Sequence, residues 1–293
     1  MRTLGPIAAL IMIASAALAA PTFESHWRDG RAELDGYRLT IERYGEIRQG
    51  EAVMIFVTEP FSESQLVKVD DPSANPADTF EALKLNLVRD FQTGVYDYNT
   101  MVSVFTHAAD FSPAKITFTS AEWCGHVYEE LRFRPEGIES QIFSYFEGES
   151  GASTLTPEPD GVAEDNLFIT LRGLRGAPLE PGETREVAFL PSAFQRRLWH
   201  QPLAWTTAEI ERQVETEIAE VPAGEFETIV YEVRVADGRT GRFNVELEYP
   251  HRIVRWDWRS EIGELTGSER MAYWQLNGAG DESHLEALGL ERN

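Results

Sequence analysis

Apolar residues recur mostly at every second position along this chain, which is the period of half-buried β-strands. Tyr37, Leu39 and Ile41 alternate with polar residues, and the stretch Ala52 to Val57 that follows is apolar on both faces. The pattern predicts a hairpin turning near Gln49-Gly50, with its second strand central in a sheet. Leu83, Leu85 and Leu87 alternate cleanly, and Thr93-Gly94 is a turn before Tyr96, Tyr98 and the run Met101 to Phe105. Ile116 and Phe118 open a strand that continues past Trp123 into Val127 to Phe133, and an aromatic strand follows over Ile138 to Phe146. Beyond a polar stretch, Val187 to Leu190, Ile229 to Val235, Phe243 to Leu247 and Val254 to Trp258 each read as strands. Asp237-Gly238 supplies a hairpin turn, while Ile210, Val214 and Ile218 fit either period. Leu265 and Tyr273-Trp274 close the sheet.

Helical punctuation is sparse. Leu167, Phe168 and Leu171 lie at helical spacing between acidic residues and Gly173, which predicts a short helix from Ala163 to Arg172, and a second is expected over Ser283 to Leu288. No repeat of fixed period occurs, which argues against propellers and solenoids. The expected fold is therefore all-β, an antiparallel curved sheet or open β-barrel with one or two short helices. Charges within strands (Glu232, Arg234, Glu246) and a terminus of Glu291-Arg292-Asn293 argue against an outer-membrane barrel.

Arg2, the apolar run Ile7 to Leu18 and Ala17-Leu18-Ala19 have the form of a secretory signal peptide over residues 1–19. The run is too short for a membrane span, and no later transmembrane segment is expected. The remaining residues 20–293 read as a single β-rich domain: an N-terminal half (20–146), a Gly/Ser/Pro loop (147–161) and a C-terminal half (162–293). The expected location is periplasmic or secreted.

With 49 acidic against 26 basic residues the net charge is −23. Such a surface repels phosphate backbones and anionic lipid, so nucleic acid is not an expected partner. The single cysteine, Cys124, precludes an intramolecular disulfide, so packing alone must hold the fold.

The sharpest candidate for chemistry is Glu122-Trp123-Cys124-Gly125-His126. On an unbulged strand Cys124 and His126 share a face, where an imidazole could activate the thiol or both could contribute to a metal site. A metal would need two more ligands, which the sequence does not name, and neither metal nor cofactor is expected. The remaining histidines lack metal-binding spacing, and no nucleophile elbow, dinucleotide fingerprint or phosphate loop is present. Arg132, Arg134, Arg252, Arg255 and Arg259 could line a site for an anion, or serve as partners for the surplus glutamates.

The segment Val221-Pro222-Ala223-Gly224-Glu225-Phe226, then Tyr249-Pro250-His251-Arg252-Ile253-Val254-Arg255-Trp256, then Glu264-Leu265-Thr266-Gly267-Ser268, resembles the exported bacterial proteins of the DUF3108 type. The resemblance covers about residues 183–276. It implies an antiparallel sheet curled into an open barrel, and no activity, so no residue role is carried over. With aromatic strands and no catalytic motif, the expected function is a non-catalytic binding or envelope-scaffold protein that presents a curved sheet to an apolar small molecule or to an envelope protein. The alternative is a thiol- or metal-dependent hydrolase centred on Cys124 and His126.

Overall fold

The computed structural model describes residues 22–290. The proposed signal peptide lies outside the described residues. One sheet takes up nearly all the strands: β1 (Ala32–Arg43), β2 (Glu46–Ser62), β3 (Thr79–Thr93), β4 (Tyr96–His107), β5 (Pro113–Glu122), β6 (Gly125–Arg134), β7 (Gly137–Ser144), β8 (Gly151–Leu155), β9 (Val162–Ala163), β10 (Thr184–Leu190), β11 (Thr206–Arg212), β12 (Glu217–Val221), β13 (Gly224–Val235), β14 (Thr240–Glu246), β15 (Ile253–Asp257) and β16 (Glu261–Met271). The spatial order is 8-7-6-5-4-3-2-1-16-15-14-13-11-10-9, with β12 paired to β13 off that path. All pairs are antiparallel except β9 with β10. The first and last strands meet at the sheet's centre, where β1 pairs with β16, and the middle of the chain supplies both edges.

That topology forces curvature. Fifteen strands side by side would span roughly 67 Å if flat. Yet residues 156–161 join β8 at one edge to β9 at the other, and that segment reaches at most about 25 Å. The sheet is therefore strongly curled and left open between β8 and β9. The crossing segment is held by Trp205, whose indole donates to the Thr156 carbonyl (2.8 Å).

Alternation places one set of side chains inward: Tyr37, Leu39 and Ile41 from β1, Met54 and Phe56 from β2, Leu83, Leu85 and Leu87 from β3, and their counterparts round the curve form one continuous core. Three short helices, α1 (Phe23–Trp27), α2 (Leu167–Thr170) and α3 (Ala193–Leu198), cover this inner face. Each seats an aromatic on the strands: Trp27 against Phe56, Phe168 against Phe243 and Trp256, and Phe194 against Phe118. The centre of the curved sheet is thus filled by its own chain.

On the outer face the 3₁₀ segment Asp281–Leu288 lies across the paired glycines Gly36 and Gly267. A Cβ at Gly36 would sit 2.2 Å from the Leu288 carbonyl oxygen, and one at Gly267 would sit 2.3 Å from that of Ala287. Only glycine lets the segment approach so closely.

Several expectations need correction. The first hairpin turns at Tyr44-Gly45, not near Gln49-Gly50. Gly50 instead makes room for β3, since a Cβ there would lie 2.3 Å from the Asp90 carbonyl oxygen. The polar stretch 147–161 contains β8 as an edge strand, and Tyr273-Trp274 falls in a 3₁₀ turn, not a strand. The chain does not run straight through Glu122 to His126 either. Glu122 pairs with Gly125, so Trp123 and Cys124 form the two-residue turn of the β5–β6 hairpin.

Candidate functional site

The hairpin places Cys124 at an exposed turn tip and His126 as the second residue of β6, also exposed. The shared strand face that would have brought thiol and imidazole together is absent, because the strand reverses between them. Among the described residues no cluster of three or more His, Cys, Asp or Glu side chains is arranged to hold a metal ion.

A cleft of about 750 Å³ opens instead at one end of the sheet. Four separate segments build it: the end of β1 and its turn (41–45), α3 with the residues after it (194–201), the β13–β14 turn (237–239) and the β15–β16 turn (258–261). Antiparallel pairing brings the three turns to one end, and α3 closes the inner side. Its lining interleaves apolar and aromatic side chains (Ile41, Tyr44, Phe194, Leu198, Trp199 and Trp258) with Arg43, Arg239 and Arg259; Arg43 lies over the Tyr44 ring and Arg239 over that of Trp258.

The α3 wall is fixed at its start. The Ser192 hydroxyl caps the helix by accepting from Phe194 N–H, while Glu164 accepts from Ser192 N–H (3.1 Å) and Asp165 from Ala193 N–H (3.0 Å). Arg239 donates to both oxygens of the same Glu164 (2.9 and 3.1 Å) and to Asp237 (2.9 Å), which ties the β13–β14 turn to α3. Burial, with the neighbouring charge of Asp165, pushes the Glu164 carboxyl up to about 7 against the opposing pull of Arg239. Behind the floor, Glu261 accepts from buried Arg89 (3.0 Å) and from the Trp256 indole (2.8 Å).

At the β1 end, Arg43 lies over the Tyr44 ring at 4.3 Å and donates to the Leu198 carbonyl (3.3 Å) and the Tyr98 hydroxyl (3.3 Å). The hydroxyls of Tyr44, Tyr96 and Tyr98 form a hydrogen-bonded group, 2.7 Å between Tyr44 and Tyr98 and 3.0 Å between Tyr96 and Tyr44. Burial and the hydrogen bond with Tyr44 push the Tyr98 phenol well above its ordinary range, so it stays protonated. Next to the cleft, Glu149 takes Arg197 and His200 (2.6 Å to the imidazole). Burial alone would raise this carboxyl, but bonds from Arg197, His200 and Ser144 hold it down at about 2.

The guanidinium groups have capacity to spare. Nε of Arg43 and Nη2 of Arg239 are buried without a hydrogen-bond partner. Arg259 makes no side-chain ion pair among the described residues. Of the cleft's carboxylates, Asp237 and Glu261 are already engaged by arginine, while Glu42, like Arg259, is exposed and makes no side-chain ion pair among the described residues. The buried unmatched atoms of the lining are both guanidinium donors, and guanidinium groups suit an acceptor-rich, anionic group. Three residues of this lining, Tyr44 (φ 57°), His200 (φ 53°) and Arg259 (φ 65°), hold left-handed backbone conformations that non-glycine residues rarely adopt. Such strain collects at binding sites.

The five arginines singled out from the sequence separate. Arg132 pairs with Glu130, Arg252 with Glu246 and Arg255 with Asp257, while Arg134 donates to the carbonyls of Glu63 and Ser64. Only Arg259 reaches the cleft. Arg43, Tyr44, Trp199, Arg239 and Trp258 were not legible as a site, because they come from four distant segments. The one local hint was a tyrosine before Gly45 in a two-residue turn.

The fold defines an open, curled antiparallel-sheet protein with a rim cleft. No protein-family model matches the chain, so the likeness to the DUF3108 type rests on its quoted motifs alone, and no curated protein matches it. Among solved structures, a DUF1089 family protein from Pseudomonas aeruginosa is similar over 58% of this chain and 82% of its own, at 11% identity and a TM-score of 0.37.

Proposed function

We propose that this is a non-catalytic binding protein of the cell envelope, and that the rim cleft holds an amphipathic ligand with an anionic end. The observation that carries this reading is the set of three guanidinium groups, Arg43, Arg239 and the unpaired Arg259, among the aromatic side chains that line the cleft. Small-molecule sites join an apolar lining to a few polar groups in this way, and a volume of about 750 Å³ falls in the usual range. The filled inner face leaves the rim as the place for an apolar body. Export, expected from the N-terminal sequence, would place the protein in the periplasm or outside the cell.

The test is a titration with dihexanoyl phosphatidic acid below its micellar concentration, read by tryptophan fluorescence. Saturable binding is expected, weakened about tenfold by Arg259→Ala and absent for uncharged dihexanoyl glycerol. Binding of the two lipids with equal affinity, or of neither, overturns the reading.

A further inference from the structure

Five exposed apolar side chains mark the same end of the molecule: Tyr44 (57% exposed), Val95 (78%), Trp123 (71%), Tyr145 (65%) and Trp199 (59%). The meander explains why they gather. Turns β1–β2, β3–β4, β5–β6 and β7–β8 all fall at the end to which odd-numbered β1, β3, β5 and β7 run; Tyr44, Val95 and Trp123 lie in the first three, and Tyr145 opens the fourth, its N–H still bonded to the His126 carbonyl. Trp199 follows α3 at that same end, beside the cleft. Among the described residues six aromatics are exposed, and five of them (these four and Phe143, near the end of β7) lie here; Trp274 is the exception. The opposite end exposes the aliphatics Val67, Val214, Ile218 and Leu247, with Trp274 as its one exposed aromatic among the described residues.

A docking face for another folded protein is a contiguous patch with a packed centre. Here the apolar groups come from separate turns, although Tyr44 is held by Tyr96 and Tyr98 and Tyr145 packs on Gly125 of the next hairpin, and they are rich in Trp and Tyr. Those are the side chains that settle at the headgroup level of a bilayer, with an apolar ring and a polar edge. Four of the five tips also carry a carboxylate within two residues: Glu46 by Tyr44, Asp97 by Val95, Glu122 by Trp123 and Glu147 by Tyr145. On a chain of net charge −23 these carboxylates oppose an extended anionic surface, while Arg43, Arg239 and Arg259 at the same end are gathered in the cleft.

We propose that this rim rests on a lipid bilayer, that it prefers zwitterionic to anionic headgroups, and that it brings the mouth of the cleft to the membrane. The contact stands independently of what the cleft holds, since Val95, Trp123 and Tyr145 do not line it.

Vesicle sedimentation of the full chain tests this with phosphatidylcholine, phosphatidylcholine with brominated acyl chains, and phosphatidylglycerol. Both wild type and variants keep Ile7 to Leu18, so a difference between them reports on the rim. The chain is expected to partition onto phosphatidylcholine with quenching of tryptophan by bromine. The triple variant Val95→Ser, Trp123→Ser, Tyr145→Ser is expected to partition at least tenfold less, with unchanged circular dichroism and unchanged phosphatidic acid binding in the cleft. Should the triple variant lose its fold, Trp123→Glu alone serves, with a loss of severalfold. Equal partitioning of wild type and variant, no bromine quenching, or a preference for phosphatidylglycerol overturns the proposal.

Discussion

Arg172 is the residue on which the interior depends most. Its side chain is fully buried and pairs with Glu33 at 2.6 Å. It donates to the carbonyls of Pro250 (2.9 Å) and His251 (3.1 Å) and lies over the Phe56 ring at 4.3 Å. Removing one partner of such a pair leaves a charge stranded in low dielectric, so Arg172→Met is expected to cost about 3–5 kcal/mol in urea unfolding. Beside it, burial and the charge of Glu33 push the Asp35 carboxyl up to about 7, as burial does for Glu164. A carboxyl whose folded pKa is raised binds its proton more tightly in the native state. Stability from these two groups is therefore fully present below the ordinary carboxyl range and falls as pH climbs to 7. Each contributes on the order of 3 kcal/mol across that window. Asp35→Asn and Glu164→Gln should each flatten the decline between pH 5 and 7 in denaturation midpoints. A profile unchanged by both would refute the assignment. Glu130, held at about 2 by the Tyr128 hydroxyl, Arg132 and Lys115, and Glu149, held at about 2 by Arg197, His200 and Ser144, act in the opposite sense: their contribution is present above the ordinary carboxyl range and is lost as pH falls from there towards 2.

Among the elements, strands were read well because their alternation is local. β3, β4, β10, β13, β14 and β15 appear where the period of two placed them, and the helix expected over Ala163 to Arg172 is a 3₁₀ turn, Glu164–Asn166, leading into α2. α1 and α3 were missed, since helices of 5 and 6 residues carry too little periodicity to register. They persist through packing: Trp27 and Phe194 are almost wholly buried against the sheet. The turn at Tyr44-Gly45 was missed because its first residue is not the Asn, Asp or Gly that such turns prefer. Close packing between elements gives a sharper test. A Cβ at Gly263 on β16 would lie 2.1–2.3 Å from three atoms of the Trp256 ring on β15. Gly263→Ala is expected to lower stability by about 3 kcal/mol in calorimetry or urea unfolding, as overpacking of a fixed core does. A change under about 0.5 kcal/mol would mean that the indole can move aside.

For the whole molecule, the curled sheet was expected from consecutive antiparallel strands, but the filled interior and the rim cleft were not. Both depend on contacts between segments far apart in sequence, such as Arg43 with Leu198 and Arg239 with Glu164, which no local pattern reports. The opening between β8 and β9 makes its own prediction. β8 is a short, largely exposed edge strand paired on one side, while β1 to β3 lie inside the sheet. Amides of β8 should exchange with solvent roughly a hundredfold faster than those of β2 in hydrogen-exchange mass spectrometry. Comparable protection would mean that the edge is covered. The central claim is that the rim cleft binds an amphipathic anion, and native mass spectrometry of the protein purified from its own cells tests it most directly. With lipid extraction of the same sample, the account predicts one bound molecule per chain with an apolar body and an acidic group, its occupancy reduced in Arg259→Ala. A chain that carries no such molecule, or that retains it undiminished in Arg259→Ala, would contradict the account.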